Sequence, residues 1–208
     1  MDAMNKRLVW NFEIDSHKPL EIQKLLPNQE ELIRWEARYF WPENKNIVLY
    51  GLDEALLDLS MWKIKQKYDV YFLLPNLPYN IKQRKQDLLY KPLLAIKEPY
   101  RGFGSKINLT EEQQDSWLAG TDSWSNKKML VEVQNNSKSL EVEKTVCIYK
   151  FSTEPKIKLE IARLKIHNQY YLSLCIEGHS FNLVQEINEH LLQKQITCDY
   201  VHFLRGIT

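Results

Sequence analysis

Three long stretches in the last third of this 208-residue chain constrain its fold more than anything else, because their hydropathy alternates residue by residue. They are Leu140–Phe151, Lys156–Ile166 and Tyr170–Ile176, separated only by Ser152–Pro155 and His167-Asn168-Gln169. Successive side chains leave a strand on opposite faces, so period two predicts strands. Connections this short predict antiparallel neighbours, since parallel strands need a crossover of roughly a dozen residues or more. Earlier segments repeat the pattern. Arg34, Glu36 and Arg38 alternate with Ile33, Trp35, Ala37 and Tyr39, which puts three charges on one face. Asn46–Tyr50 is a second short strand after a turn at Pro42–Lys45, and Trp62–Leu74 alternates up to the turn Pro75-Asn76-Leu77-Pro78. Tyr79–Gln83 and Leu88–Ile96 form a hairpin about Lys85-Gln86-Asp87, and Lys106–Leu109 is a further short strand. Aromatics at 12% and only six glycines suit long strands with cross-strand aromatic pairs.

Helical signals are fewer. Leu8–Ile14 reads as one strand, followed by helical spacing over Leu20–Leu26 that Pro27 ends. Leu52–Met61 is a helix candidate with Asp53 as N-cap, Thr110 with Gln113 opens another, and Ser180–Gln193 is amphipathic. Residues 119–128 and 135–139 read as loops. No repeat, low-complexity tract or linker divides the chain. The expectation is one domain over 1–208, with 1–30 as an extension of strand and short helix and 31–205 as a barrel. The fold class is α+β: mainly an antiparallel, tunnel-like β-barrel of about eight strands, with a few peripheral helices including one near the C-terminus.

Several function classes are excluded or left without support. No apolar run is long enough to span a bilayer, and the first residues lack the apolar core of a signal peptide. Cys147, Cys175 and Cys198 are far apart with no CxxC pair, which argues for reduced, packed thiols and a cytoplasmic location. A net charge of +1 gives no global pull toward nucleic acid or anionic membrane, so any basic site must be local. Nucleophile elbow, Gly-rich phosphate loop, metalloprotease helix and dinucleotide fingerprint are all absent from the sequence. Trp117 and Trp124 flank a polar loop and read as its anchors.

The order of charges along the strands is more informative. Lys82 and Arg84 are two apart and share a face, and Lys91 lies on the returning strand of their hairpin. Lys144 falls on the side of Val142 and Val146, which predicts an inward position. Glu177 shares a face with Ser173 and Cys175, opposite Leu172, Leu174 and Ile176. A lone charge on an antiparallel strand usually faces water. Alternate residues of every barrel strand face the lumen, however, and cations converging there make a polyanion site. A few carboxylates among them would hold a divalent metal.

Specific stretches match a known pattern in order. Arg34-Trp35-Glu36-Ala37-Arg38 stands where an E-x-E-x-K strand would, with Arg for the first acid. Asp69-Val70-Tyr71-Phe72 stands for D-x-Y-F, Lys82-Gln83-Arg84 for R-x-R, and Leu88–Lys91 for a strand ending in a phosphate-binding Lys. Lys106-Ile107-Asn108 stands for R-x-E without its acid, and Val142–Val146 for V-x-K-x-R without its last cation. Ser173–Gly178 keeps one acid of E-x-E, and Tyr200–Leu204 parallels a closing S-Y-x-E-L-L. On these residues the stretch 34–204 resembles the CYTH superfamily, the triphosphate tunnel metalloenzymes. The resemblance implies an eight-stranded tunnel that binds triphosphate or polyphosphate with Mg2+ or Mn2+. It implies phosphate contacts at Arg38, Lys82, Arg84, Lys91, Lys106 and Lys144, and metal ligands at Glu36, Glu177 and Glu160. The basic positions are better preserved than the acidic ones, which favours binding over turnover. The expected ligand is a small-molecule polyanion, not nucleic acid or a membrane. Two alternatives stay open: a metal-dependent phosphohydrolase, and an inactive barrel that binds anions or a protein partner.

Overall fold

The computed structural model describes residues 5–25, 28–111, 116–193 and 198–208. Thirteen strands and three α-helices carry the fold among these residues. The strands are β1 (Lys6–Val9), β2 (Phe12–Asp15), β3 (Arg34–Pro42), β4 (Ile47–Tyr50), β5 (Lys63–Leu73), β6 (Asn80–Arg84) and β7 (Asp87–Lys91). They continue with β8 (Leu93–Lys97), β9 (Tyr100–Phe103), β10 (Ile107–Asn108), β11 (Lys138–Lys150), β12 (Lys158–Ile166) and β13 (Gln169–Gly178). The helices are α1 (Asn126–Asn136), α2 (Phe181–Leu192) and α3 (Tyr200–Gly206).

Ten strands form one antiparallel sheet in the order β10-β7-β6-β5-β11-β12-β13-β3-β9-β8. The expected α+β fold with an antiparallel, barrel-like sheet is therefore present, with ten strands in that sheet where about eight were expected. Pro92 is the main reason. It cannot donate to a ladder, so it splits the single run Leu88–Ile96 into β7 and β8. The two halves then lie far apart in the sheet order, β8 at one end and β7 next to the strand at the other. Lys91 and Leu93 can be no more than about 7 Å apart at Cα. The sheet must therefore curl until its two ends nearly meet, and that curl makes the tunnel.

A second, three-stranded sheet, β1-β2-β4, sits behind the large one, with β2 parallel to β4. The strand expected over Leu8–Ile14 is a hairpin here, because Trp10 takes a left-handed backbone (φ 51°) between β1 and β2. Alternation then sorts the side chains into three cores. On the convex face Trp35, Tyr39, Leu159, Ile161, Leu172, Leu174 and Ile176 pack against α2 and the small sheet. Elsewhere on that face Ile81 and Tyr90 pack against Met129 and Val133 of α1. Inside the curl, Tyr71, Val142, Val146, Ala162 and Leu164 pack against Tyr200, Val201 and Leu204 of α3.

The helix α2 is where the amphipathic pattern places it. The Ser180 hydroxyl accepts from Leu183 N, and Leu183, Val184, Ile187 and Leu191 are fully buried. Each such side chain contributes roughly 1.5–3 kcal/mol of burial. Between Leu52 and Met61, by contrast, the expected helix is two 3₁₀ turns. Asp53 caps Ala55 N as expected, but Asp58 breaks the run by capping Ser60 N from an extended backbone. Leu20–Leu26 shows only the turn Ile22–Lys24, and Leu26 with Pro27 lies outside the described residues. Gln113, expected in a capping box with Thr110, also lies outside them. The loops expected over 119–128 and 135–139 are shortened by α1, which Ser125 caps by accepting from Lys128 N. Among the described residues no helix is long and apolar enough to cross a membrane. All three cysteines are free, Cys147 and Cys175 buried and Cys198 half-buried.

Candidate functional site

The concave wall of the curl carries charge where the convex wall carries aliphatics, because the same strands supply both. Glu36 and Arg38 of β3, Lys67 of β5, Lys82 and Arg84 of β6, Lys91 of β7, Lys144 of β11, Lys158 and Glu160 of β12 and Glu177 of β13 all line one cavity. Its volume is about 120 Å³, the liquid volume of about four water molecules. A second cleft of about 330 Å³ shares Lys91, Lys106 and Glu177 with it and opens past Leu32, Arg34 and His179. All six expected phosphate contacts and all three expected metal ligands thus border the same cavity. Lys106 lies at its rim, exposed and without an ion pair among the described residues.

Two clusters organise the wall. The first is built on Asp69, which is fully buried. Arg84 grips it with a fork, Nε to Oδ1 at 2.6 Å and Nη2 to Oδ2 at 2.8 Å. Lys82 donates to Oδ2 at 3.0 Å, and Lys144 lies 2.8 Å from the same oxygen. Lys144 also donates to the Tyr71 hydroxyl at 2.8 Å. Strand register explains the convergence: Asp69 pairs with Val142 on β11, one alternation from Lys144, and Tyr71 pairs with Lys82 on β6. Burial pushes the Asp69 carboxyl up, but Arg84, Lys144 and Lys82 outweigh it and hold it far below the carboxylate range. Burial lowers Lys144 to about 8 against the pull of Asp69. Lys82 is lowered well below the lysine range by burial and by the charge of Lys144.

The second cluster is a row across four strands. Lys158, Glu177, Glu36 and Arg101 are successive partners from β12 through β13 and β3 to β9. Two carboxylates directly opposite each other are unfavourable alone. Here each has its own ammonium: Lys91 bonds Glu36 and Lys158 bonds Glu177. Arg34 adds a contact to Glu177 at 3.1 Å. Burial pushes Glu177 up, yet the charges of Lys158 and Lys91 hold it well below its usual value. Glu160, one alternation along β12, takes Lys67 at 3.1 Å, Lys158 at 3.4 Å and Arg38 at 3.9 Å. Burial raises Glu160 and Lys158, Arg38 and Lys67 lower it, to about 2.

The bookkeeping of charge is uneven. Nine cations line the cavity against four carboxylates, or five when the buried Asp69 is counted. Counted with every group ionised, the cavity carries four more positive than negative charges in a chain whose formal net charge is +1, so the rest of the chain is formally net negative. Although Lys106 is exposed as a residue, partial desolvation at the cavity mouth and the charges of Lys91 and Arg84 lower its ammonium as well. Helix α3 closes one side of the tunnel. Tyr200 stacks on Tyr71 at 4.9 Å, and Arg38 and Lys144 lie over its ring at 5.1 and 4.2 Å. Among the described residues the buried Tyr200 hydroxyl has no hydrogen-bond partner of sound geometry.

Sequence reasoning did not assign a site role to Asp69, Lys67, Lys158 or Arg101. The alternation of Lys67, Asp69 and Tyr71 along β5 was a usable signal, as was that of Lys158 with Glu160 on β12.

The donor set can be tested against Mg2+ or Mn2+. Glu36, Glu177 and Cys175 bring one ligand atom each to within 4.8 Å of one another, and Glu160 is not in that group. Hard divalent cations take about six oxygens, preferably from carboxylates free to ligate. The third donor here is a thiol that burial holds well above its usual pKa, hence protonated. Both carboxylates are already engaged by ammonium groups. The site as built does not fit a resident Mg2+ or Mn2+. In comparisons with known proteins, the chain matches no family model and no curated protein sequence.

Proposed function

We propose that the tunnel binds a phosphate-chain anion, of the triphosphate or polyphosphate type, through Lys82, Arg84, Lys91, Lys106, Lys144 and Arg38. One observation carries this reading: a concave cavity with four more basic side chains than carboxylates, in a chain that is elsewhere net negative. Buried charges that serve structure alone are matched, because an unmatched one costs several kcal/mol. A surplus of this size is accounted for by an anion that arrives from outside. Phosphate oxygens suit it, since each accepts charge-assisted hydrogen bonds worth roughly 1.5–3 kcal/mol. The resemblance to triphosphate tunnels supports the same ligand class. Hydrolysis would call for a metal that the acid row does not accommodate, so the reading is of a binding tunnel.

The test is thermal melting with tripolyphosphate, with sulfate as the control anion. A ligand at a hundred times its dissociation constant adds about 2.7 kcal/mol, which in a chain of this size raises the midpoint by roughly 5–11 °C. Lys106→Ala removes a rim cation with no ion pair of its own, so it weakens binding several-fold without moving the ligand-free midpoint. A midpoint indifferent to tripolyphosphate would refute the reading.

A further inference from the structure

The acid row suggests how the tunnel takes its ligand, and this step rests on the binding function proposed above. From the pairing of Lys91 with Glu36 and of Lys158 with Glu177, we infer that the tunnel is closed to divalent metal and accepts its phosphate chain in metal-free form. Each of the two facing carboxylates has its negative charge met by an ammonium, Glu177 by Lys158 on the adjacent β12 and Glu36 by Lys91, which reaches across the curl from β7. Lys158 also reaches Glu160 at 3.4 Å, so the third glutamate of the wall is held by the same side chain. Arg34 and Arg38 complete the coverage, at 3.1 Å from Glu177 and 3.8 Å from Glu36. A divalent cation entering on a phosphate chain would meet the surplus cations, and of the four carboxylates that line the cavity only Asp199 has no ion pair among the described residues, its Oδ1 already accepting from His202 N. It would also remove two of the negative charges that draw the chain in.

Mg2+ therefore acts as a competitor for the ligand. Calorimetric titration with tripolyphosphate is run in EDTA and again with enough Mg2+ to complex 99% of the anion. The apparent dissociation constant should rise by roughly 100-fold, the inverse of the free fraction. Unchanged or tighter binding with Mg2+ overturns the inference. A second arm needs no phosphate. Mn2+ is titrated into the protein alone and followed by its paramagnetic resonance signal. Wild type should leave Mn2+ free, whereas Lys158→Met and Lys91→Met expose carboxylates and should each gain a bound ion. Stoichiometric Mn2+ binding to wild type that Glu177→Gln abolishes overturns the inference, even if either lysine variant fails to fold. Absence of tripolyphosphate binding in both buffers would instead remove the proposed ligand, while the Mn2+ arm would still decide whether Glu36 and Glu177 are closed to metal.

Discussion

Replacing Asp69 by Asn keeps the shape of the side chain and removes the one negative charge at the centre of three cations. Arg84 at 2.6 Å, Lys144 at 2.8 Å and Lys82 at 3.0 Å then face one another across a fully buried amide. Breaking a buried charge cluster on one side costs about 3–5 kcal/mol, a fall in melting temperature of roughly 6–20 °C for a chain of this length. The loss has a ceiling, because a lysine can shed its proton. Lys144, at about 8 with Asp69 in place, drops further without it. A depressed lysine binds fewer protons folded than unfolded, so stability rises with pH from the folded value up to the ordinary 10.5. The deficit of Asp69→Asn should accordingly be larger at pH 6 than at pH 9. Tripolyphosphate supplies the missing charge, so its stabilising shift should be larger in the variant than in wild type. Differential scanning calorimetry at both pH values, with and without the anion, reads all three effects. A variant that melts within about 2 °C of wild type at pH 6 would show that Asp69 is not the counter-charge of this cluster.

Other expectations follow from the same wall. Glu160 sits at about 2 rather than 4.5, so it contributes stability above pH 4.5 that is lost as pH falls toward 2. The loss is about 3 kcal/mol, and urea midpoints against pH should show it in wild type but not in Glu160→Gln. Lys82, Lys106 and Lys144 are all lowered in the free protein. A bound anion raises them, so binding should take up protons and strengthen as pH falls from 9 to 7. Titration calorimetry in buffers of different ionisation enthalpy measures that uptake, and a value of zero would contradict it. Gly51 has φ +72°, and a Cβ there would lie 2.0 Å from His190 Nε2. Gly51→Ala should cost more than about 1 kcal/mol in chemical denaturation through backbone strain and displacement of His190 from α2.

Much of the wall was legible in the sequence because alternation is a local property. The inward positions of Lys144 between Val142 and Val146, of Lys82 with Arg84, and of Glu177 beside Cys175 follow from spacing alone, and the cavity is lined accordingly. Asp69 stands in the sequence only as part of a motif, since its importance depends on β6 and β11 arriving on either side of it. The break at Pro92 was hidden for a similar reason. A proline inside an apolar run signals an edge, but only the sheet order shows that the chain steps there from beside one end of the sheet to the other end. Helix α1 escaped notice because Asn126–Asn136 is largely polar and buries little more than Met129 and Val133. Between Leu52 and Met61 the apolar spacing was helical, yet a second capping aspartate at Asp58 divided it.

The division of each strand into a charged side and an oily side bears on how the sheet assembles. Were β13 to slip by one residue against β3, Glu177 would point toward α2 and Ile176 would point at the cations. The same holds for β12 and β11. A displaced register would bury ionised groups in hydrocarbon at several kcal/mol each, far above what a few strand hydrogen bonds could return. Mispaired sheets of this chain are thus rejected by the tunnel wall itself, whether or not a ligand is ever bound.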